Sequence, residues 1–421
     1  MSEQPQTSSQ PLPQSATERR AVVVGSGIGG LTAAVALHRR GWQVTVLERA
    51  ASLDPVGAGI GLAPNSLRAL DVIGLGETVR DLAAWQGEGG LRAPNGRWLS
   101  RTDSAAAVER FGGPLVLLHR ATLVDVLLSG LPDGVVRTGA AASLVDAGEP
   151  GGRPAVVRTE EGDDGDDIEA DLVIGADGVR SGVRGVLFPG HPGAVYAGFT
   201  TWRVVVPAPA EPFAPHETWG RGRLWGSQPL KDGRIYAYAA AHAPAGDRSA
   251  DGEKAEVLRR FGDWHHPVPQ IIAAADAPFL RHDVFHMSTP LDTFHRGRTV
   301  LVGDAAHAMC PTMGQGGNQA IEDGVVLGHH LDPAADLGAG LAAFTADRLP
   351  RTTGIVAKSA RIAQLAMLDS APAVAVRDAV LRLASLGPSA LALRAFDGVC
   401  DWRPPQRTYA ARTPVHQAQQ S

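Results

Sequence analysis

The chain has 421 residues, 44% hydrophobic and 20% charged, enough to bury one large α/β domain with an inserted lobe or two smaller domains. A net charge of −5 without any polybasic run argues against a nucleic-acid partner, and two cysteines leave no room for a disulfide framework or a cysteine metal cluster. No stretch reaches the ~18 apolar residues of a spanning helix, so we expect a cytoplasmic protein without stable membrane insertion.

Residues 1–19, rich in Ser, Gln and Pro, read as a disordered tail rather than a signal peptide. Ala21-Val22-Val23-Val24 is a short, wholly apolar run of the kind buried on both faces of a parallel sheet. A glycine-rich turn follows, then an Ala-rich helical segment from Leu31 to Arg40 with Gly41 placed as its C-cap, then a second strand from Gln43 to Glu48. Helices are predicted over Asn65–Leu75 and Ala121–Leu131. The acidic stretch Glu161–Asp167 reads as a solvated hairpin tip and not a metal loop.

Residues 191–290 differ in texture, with aromatics concentrated at Tyr196, Trp202, Trp219, Trp225, Tyr236, Tyr238 and Trp264. Alternation such as Arg234-Ile235-Tyr236-Ala237-Tyr238 predicts antiparallel strands. Parallel-strand texture returns at Thr299–Val302, and long helices interrupted by Pro350, Pro372 and Pro388 run towards residue 405, before a flexible tail at 406–421. The predicted fold is α/β: a Rossmann-like dinucleotide-binding domain in two parts (20–190 and 291–405), an inserted, mostly antiparallel β-sheet lobe between them, and C-terminal helices.

Gly25-x-Gly27-x-x-Gly30 opens a helix directly after a strand. Gly25 permits the tight turn, Gly27 lets a pyrophosphate approach the backbone, and Gly30 allows close packing of helix on strand. The phosphates then lie on free N–H groups at the helix N-terminus. Glu48, ending the second strand, is placed to accept hydrogen bonds from a ribose diol. The motif implies an adenine dinucleotide and leaves NAD and FAD open.

Four further stretches carry a resemblance. Asp171-Leu-Val-Ile-Gly-Ala-Asp177-Gly-Val-Arg-Ser-Gly-Val-Arg184 is similar to the Asp-Gly signature of flavoprotein aromatic hydroxylases. Gly297–His307, continuing through Pro311 and Gly314-Gln-Gly316-Gly317-Asn318 to Glu322-Asp323, resembles the Gly-Asp signature of the same enzymes. Gly57–Asn65 and His119–Leu123 also match. The chain is therefore identified as similar to the group A (single-component) FAD-dependent monooxygenases of the salicylate hydroxylase-like branch, from about residue 20 to 405.

The resemblance implies FAD as cofactor, NADH or NADPH as co-substrate, and O2 and an electron-rich aromatic or heteroaromatic small molecule as substrates. Hydroxylation would proceed through a flavin C4a-hydroperoxide, in a monomer or homodimer. It implies that Asp304 takes the ribityl chain and Arg120 the pyrophosphate. Gly314, Gly316, Gly317 and Asn318 would meet the flavin at a helix N-terminus, and Asp177 would brace the site. Ile28, Gly29, Arg49, Gly59 and Leu144 complete the expected cofactor contacts. The catalytic candidates are Pro311 and Gly314 beside the flavin, with His216 and Tyr236 in the lobe, where each reads more readily as an ordinary sheet or surface residue. Trp219, Trp225, Tyr236 and Tyr238 suggest an aromatic wall for a flat substrate, or plain core. Epoxidation of an alkene-containing or indole-type product and a non-oxygenating flavin protein remain open alternatives. No metal site is expected.

Overall fold

The computed structural model describes residues 19–53, 58–85, 87–102, 104–160, 165–386 and 393–405. The tails at 1–18 and 406–421, Gly57, residues 161–164 of the acidic stretch and Pro388 lie outside the described residues. Ala21–Val24 forms the strand Arg20–Val24, flanked in parallel by Leu172–Gly175 on one side and Gln43–Glu48 on the other. Burial on both faces is why Ala21–Val24 is wholly apolar. Val136–Thr138 beyond one neighbour, and Thr299–Leu301 with His295–Arg296 beyond the other, complete a six-stranded sheet that is antiparallel only in its last pair. Helix Ile28–Arg40 ends at Gly41 in the left-handed conformation, as its sequence predicts, and packs against helix Gly316–His330.

The second large sheet has seven strands in the order Leu280–His286, Val195–Pro207, Arg234–His242, Arg223–Pro229, His216–Trp219, Gly89–Arg92 and Trp98–Thr102. Its last two strands come from the earlier part of the chain, joined by a parallel pairing of Gly89–Arg92 with His216–Trp219. The lobe is therefore not drawn from residues 191–290 alone. Side chains alternate strictly across it. Trp202, Val204, Trp225, Ala237 and Ala239 point outward into a core capped by helices Glu253–Phe261 and Val268–Ala273. The opposite face meets the dinucleotide domain through Phe199, Trp219, Leu224 and Ala240, which pack with Cys310, Ala363 and Met367.

The C-terminal helices depart from prediction at Pro350, which sits inside the continuous helix Leu337–Ala366 instead of interrupting it. Losing one backbone hydrogen bond there is offset by the buried side chains on both sides of the proline, from Leu341 and Phe344 to Thr352 and Ile355. Pro372 falls in the first turn of helix Ala371–Ala384, where a missing N–H costs nothing. Among the described residues no helix is long and apolar enough to cross a membrane.

Candidate functional site

The glycine turn is built tightly from behind and left open in front. Gly25 has φ +102°, and a Cβ there would stand 2.5 Å from the Ala176 carbonyl oxygen; one on Gly30 would stand 2.1 Å from the Gly25 carbonyl oxygen. Around Gly27, at the N-cap of helix Ile28–Arg40, nothing lies within 4 Å of such an atom. That is the cradle a pyrophosphate needs. Glu48 accepts hydrogen bonds from Ser26 N (2.9 Å), Ser26 Oγ (2.6 Å) and Ala50 N (2.9 Å). Burial opposes its ionisation, but these bonds and the Arg49 charge outweigh it and hold the carboxyl below its ordinary value. The Arg49 side chain itself is exposed.

Arg120 begins helix Arg120–Leu128, its backbone N–H fixed to the Ala58 carbonyl at 2.8 Å. The residue is exposed and its guanidinium forms no ion pair with any described residue. Enclosure, then Arg203, lower its pKa, against Asp304 and Glu48. Asp304 has the same character. It starts the short helix Asp304–His307 beyond strand Thr299–Leu301, is open to solvent, and makes no hydrogen bond to a described residue. Enclosure by its surroundings pushes its carboxyl up, against His307, Arg120 and Arg203. Its Oδ1 lies 3.9 Å from where a Gly316 side chain would begin, so it faces the N-terminus of helix Gly316–His330.

That N-terminus is shaped by the turn Pro311–Met313 and by Gly314, which adopts the left-handed conformation (φ +60°) with no atom within 4 Å of a would-be Cβ. Pro311 is exposed beside it. Gly317 touches Ile60 and Ile28, joining this loop to the glycine turn. The glycine cradle, the open Gly314 loop and two unpaired charges of opposite sign fit an elongated, polar dinucleotide. FAD meets each of those demands.

Other predicted contacts have different surroundings. The Asn318 side chain is consumed by protein: its oxygen accepts from Ala63 N (2.8 Å) and Ser66 Oγ, and its nitrogen donates to Gly61 O (3.0 Å) and Gly314 O (2.6 Å). It braces the loop, leaving only its backbone at the helix start. Asp177 accepts from Ser181 Oγ and Val183 N (3.1 Å) and so caps helix Gly182–Leu187. Arg184 is buried, donating to Ala305 O (2.8 Å) and Val179 O (2.7 Å), so this segment buttresses the Asp304 helix from behind. Gly29 packs on Ala320 and Val302. Leu144, on the three-stranded antiparallel sheet that includes Ala155–Thr159, takes the buried phase of its strand and packs into the core cluster that also holds Val24 and Leu47.

The strand phase also corrects the catalytic candidates. His216 points outward, buried among Phe213 and His265, with Nδ1 2.8 Å from the Ala214 carbonyl. Burial lowers its pKa to about 4. It is on the far side of the sheet from Asp304 and does not act there. Trp225 likewise faces outward, so the aromatic wall consists of Trp219, Tyr236 and Tyr238 only. Tyr236 does face inward, packed on Leu117 and Leu230 and over Gly59, with Arg203 hydrogen-bonded to it. Burial raises its pKa, against Arg203. Arg203 thus stands near Tyr236 and near both Asp304 and Arg120. His242 is held at the sheet edge by Met367 O (2.8 Å) and Gly198 O (3.1 Å). Cys310 is buried, and burial pushes its thiol up to about 11.

Comparisons with known proteins agree with this architecture. An FAD binding domain family matches residues 18–359. The chain is 37% identical over 366 residues to the aurachin C monooxygenase/isomerase of Stigmatella aurantiaca, covering 86% of this chain and 94% of that protein. It is 36% identical over 386 residues to the 3-amino-4-hydroxybenzoate 2-monooxygenase of Streptomyces cremeus, covering 89% and 94%. Among solved structures, the Klebsiella pneumoniae protein HpxO complexed with FAD and uric acid superposes with a TM-score of 0.81 at 28% identity, over 92% of this chain and 97% of that one.

Proposed function

The chain belongs to the FAD binding domain family of single-component flavoprotein monooxygenases, which use NAD(P)H and O2 to hydroxylate aromatic or heteroaromatic small molecules, and from that premise we propose how its residues divide the work. Gly25, Gly27 and Gly30 present the N-terminus of helix Ile28–Arg40 to the pyrophosphate, with Arg120 supplying the charge-assisted contact. Glu48, oriented by Ser26 and Ala50, accepts from the adenosine ribose. Asp304 accepts from the ribityl chain. Gly314, Gly316 and Gly317 bring backbone N–H groups and the positive end of a helix to the pyrimidine side of the ring, favouring its anionic reduced form. When bound, FAD would carry two electrons from NAD(P)H to O2, one oxygen atom of which enters the substrate while the other leaves as water.

The remaining task falls to the inner face of the seven-stranded sheet and the Pro311–Gly314 turn, which would enclose the ring between them. Tyr236 and Arg203 line that space, and the apolar Trp219, Leu224 and Ala240 keep it dry. The substrate is a flat aromatic or heteroaromatic compound carrying ring hydroxyl or amino groups, as the name of the Streptomyces cremeus relative describes for its own. The enzyme works in the cytoplasm as a monomer or homodimer. The observation that carries this reading is the pair Arg120 and Asp304, both left unpaired around an open glycine cradle.

The test is to follow NAD(P)H oxidation by the flavin-loaded protein against a panel of hydroxy- and amino-aromatics under 18O2, with product mass. Incorporation of one labelled oxygen atom is expected. An epoxide or its rearranged product would move the reading to alkene oxidation. NAD(P)H oxidation that no aromatic compound stimulates would overturn it.

A further inference from the structure

The inner face of the seven-stranded sheet carries a polar row that runs straight across five strands. Arg203 pairs with Tyr238, Tyr238 with Gly226, Gly226 with Glu217, and Glu217 with Leu91. Directly opposite positions share a face, so all of these point towards the dinucleotide domain. Gly226 is what makes the row continuous. A Cβ there would stand 2.0 Å from Tyr238 Cζ, so only a glycine lets the tyrosine ring lie across the intervening strand. The Tyr238 hydroxyl thereby reaches Glu217 Oε2 at 2.7 Å. The Trp219 indole N–H donates to Glu217 Oε1.

Glu217 is unusual in what it lacks. It forms no ion pair with any described residue, and Arg377, which stacks on the Trp219 ring, is paired with Asp378 instead. A carboxyl enclosed by protein without a cation is costly, and proteins retain one at a site chiefly where it meets a ligand. Burial raises the Glu217 carboxyl, against the hydrogen bonds from Trp219 and Tyr238. Its side chain is nevertheless only partly covered, as is that of Tyr238. Tyr238 and Leu91 pack on the cluster containing Cys310, the residue before the Pro311–Gly314 turn. The row therefore extends from Arg203, near Asp304, to a carboxyl beside the cluster that holds Cys310, and a ring bound there would present an edge to it.

We propose that Glu217, held by Tyr238 and Trp219, is the substrate-recognition carboxyl of this enzyme, and that it selects aromatic rings presenting an O–H or N–H donor at that edge over rings presenting a carboxylate. This rests on the monooxygenase reading above. Each Glu217 oxygen accepts one bond from protein and keeps a second lone pair for the substrate. A donor that leans on this carboxyl gains electron density in its ring, which is what electrophilic oxygen transfer requires. A carboxylate in the same place meets like charge across a dry gap. Tyr238 is a positioning residue: it aims the carboxyl and does not recognise the ring itself.

The experiment uses flavin-loaded full-length protein and three matched probes: 4-hydroxyquinoline, which donates in either tautomer, 4-methoxyquinoline, which cannot, and quinoline-4-carboxylate. Binding is read from perturbation of the flavin absorbance. The wild type is expected to bind the hydroxy probe about tenfold or more tightly than the other two, the worth of one charge-assisted hydrogen bond. Glu217→Gln should erase most of that preference and improve carboxylate binding. Tyr238→Phe should retain the preference while lowering probe-stimulated NADH oxidation more than affinity. Equal or tighter binding of the carboxylate by the wild type, failure of all three probes to perturb the flavin, or an unchanged ratio in Glu217→Gln overturns the assignment. Donor preference without oxygen insertion into any aromatic would sink the monooxygenase reading and leave the recognition site standing; oxygen insertion without donor preference would do the reverse.

Discussion

Two sets of charges meet the helix Gly316–His330, one along its buried flank and one at its N-terminus. On the flank, Arg348 binds Asp323 (2.7 Å) and Glu322 (2.5 Å), Arg351 binds Glu322 twice (2.7 and 2.8 Å), and His307 binds Asp323 (2.6 Å). At the N-terminus, Asp304 and Arg120 are exposed and without protein partners among the described residues. The first set is sealed, with Glu322, Asp323 and Arg348 each at most 1% exposed, and every charge is answered by protein. The second lines a space, and its charges are left for something else to answer. Desolvation explains the difference: a charge that never sees a ligand must be neutralised by the fold, whereas a charge that does must be kept available for it.

The sharpest break comes from the sealed set. Arg348→Met removes the cation shared by two buried carboxylates, leaving Asp323 to His307 and Glu322 to Arg351, and is expected to cost about 3–5 kcal/mol. Denaturant unfolding should show that loss equally with and without FAD, because the group never meets the cofactor. The same set sets an acid limit. Burial pushes the Asp323 carboxyl up, but His307 and Arg348 outweigh it and hold it at about 2, below the ordinary 3.8. Its contribution is then complete above pH 4 and is lost as pH falls from about 4 through 2, a difference of about 2 kcal/mol. Unfolding measured across that window should show the slope in the wild type, and Asp323→Asn, though less stable throughout, should flatten it. A smaller effect belongs to the open region. Gly314→Ala meets no atom, so its cost is the left-handed backbone alone, about 1–2 kcal/mol in urea unfolding. A larger loss would mean that the loop is packed where the structure shows it open.

The parts of this molecule that were legible in the sequence are those set by local chemistry. Gly25, Gly27, Gly30 and Gly41 announce a turn, a helix start and a helix end because backbone conformation is decided within a few residues. Asp304 is legible because it follows a wholly apolar strand at a sheet edge. Strand phase is a different matter. His-Glu-Thr-Trp at 216–219 alternates whichever way it is turned, and the histidine draws attention as a possible base. Only the pairing of Thr218 with Trp225, and of Glu217 with Gly226, fixes Glu217 inside and His216 outside. One residue of phase exchanges the two roles. The buried network was equally out of reach, since Arg348 and Asp323 meet only when two helices pack. Pro350 beside that arginine even suggested a helix end where the structure has a continuous helix.

The contrast between sealed and open charges is tested most directly by measuring two quantities on Arg120→Ala and Asp304→Ala: the dissociation constant for FAD and the unfolding free energy of the FAD-free protein. Loss of a charge-assisted contact should raise the dissociation constant by about tenfold or more in each variant, while the FAD-free protein keeps its stability within about 0.5 kcal/mol. Unchanged FAD affinity, or a loss of stability in the FAD-free protein as large as that of Arg348→Met, would contradict the account.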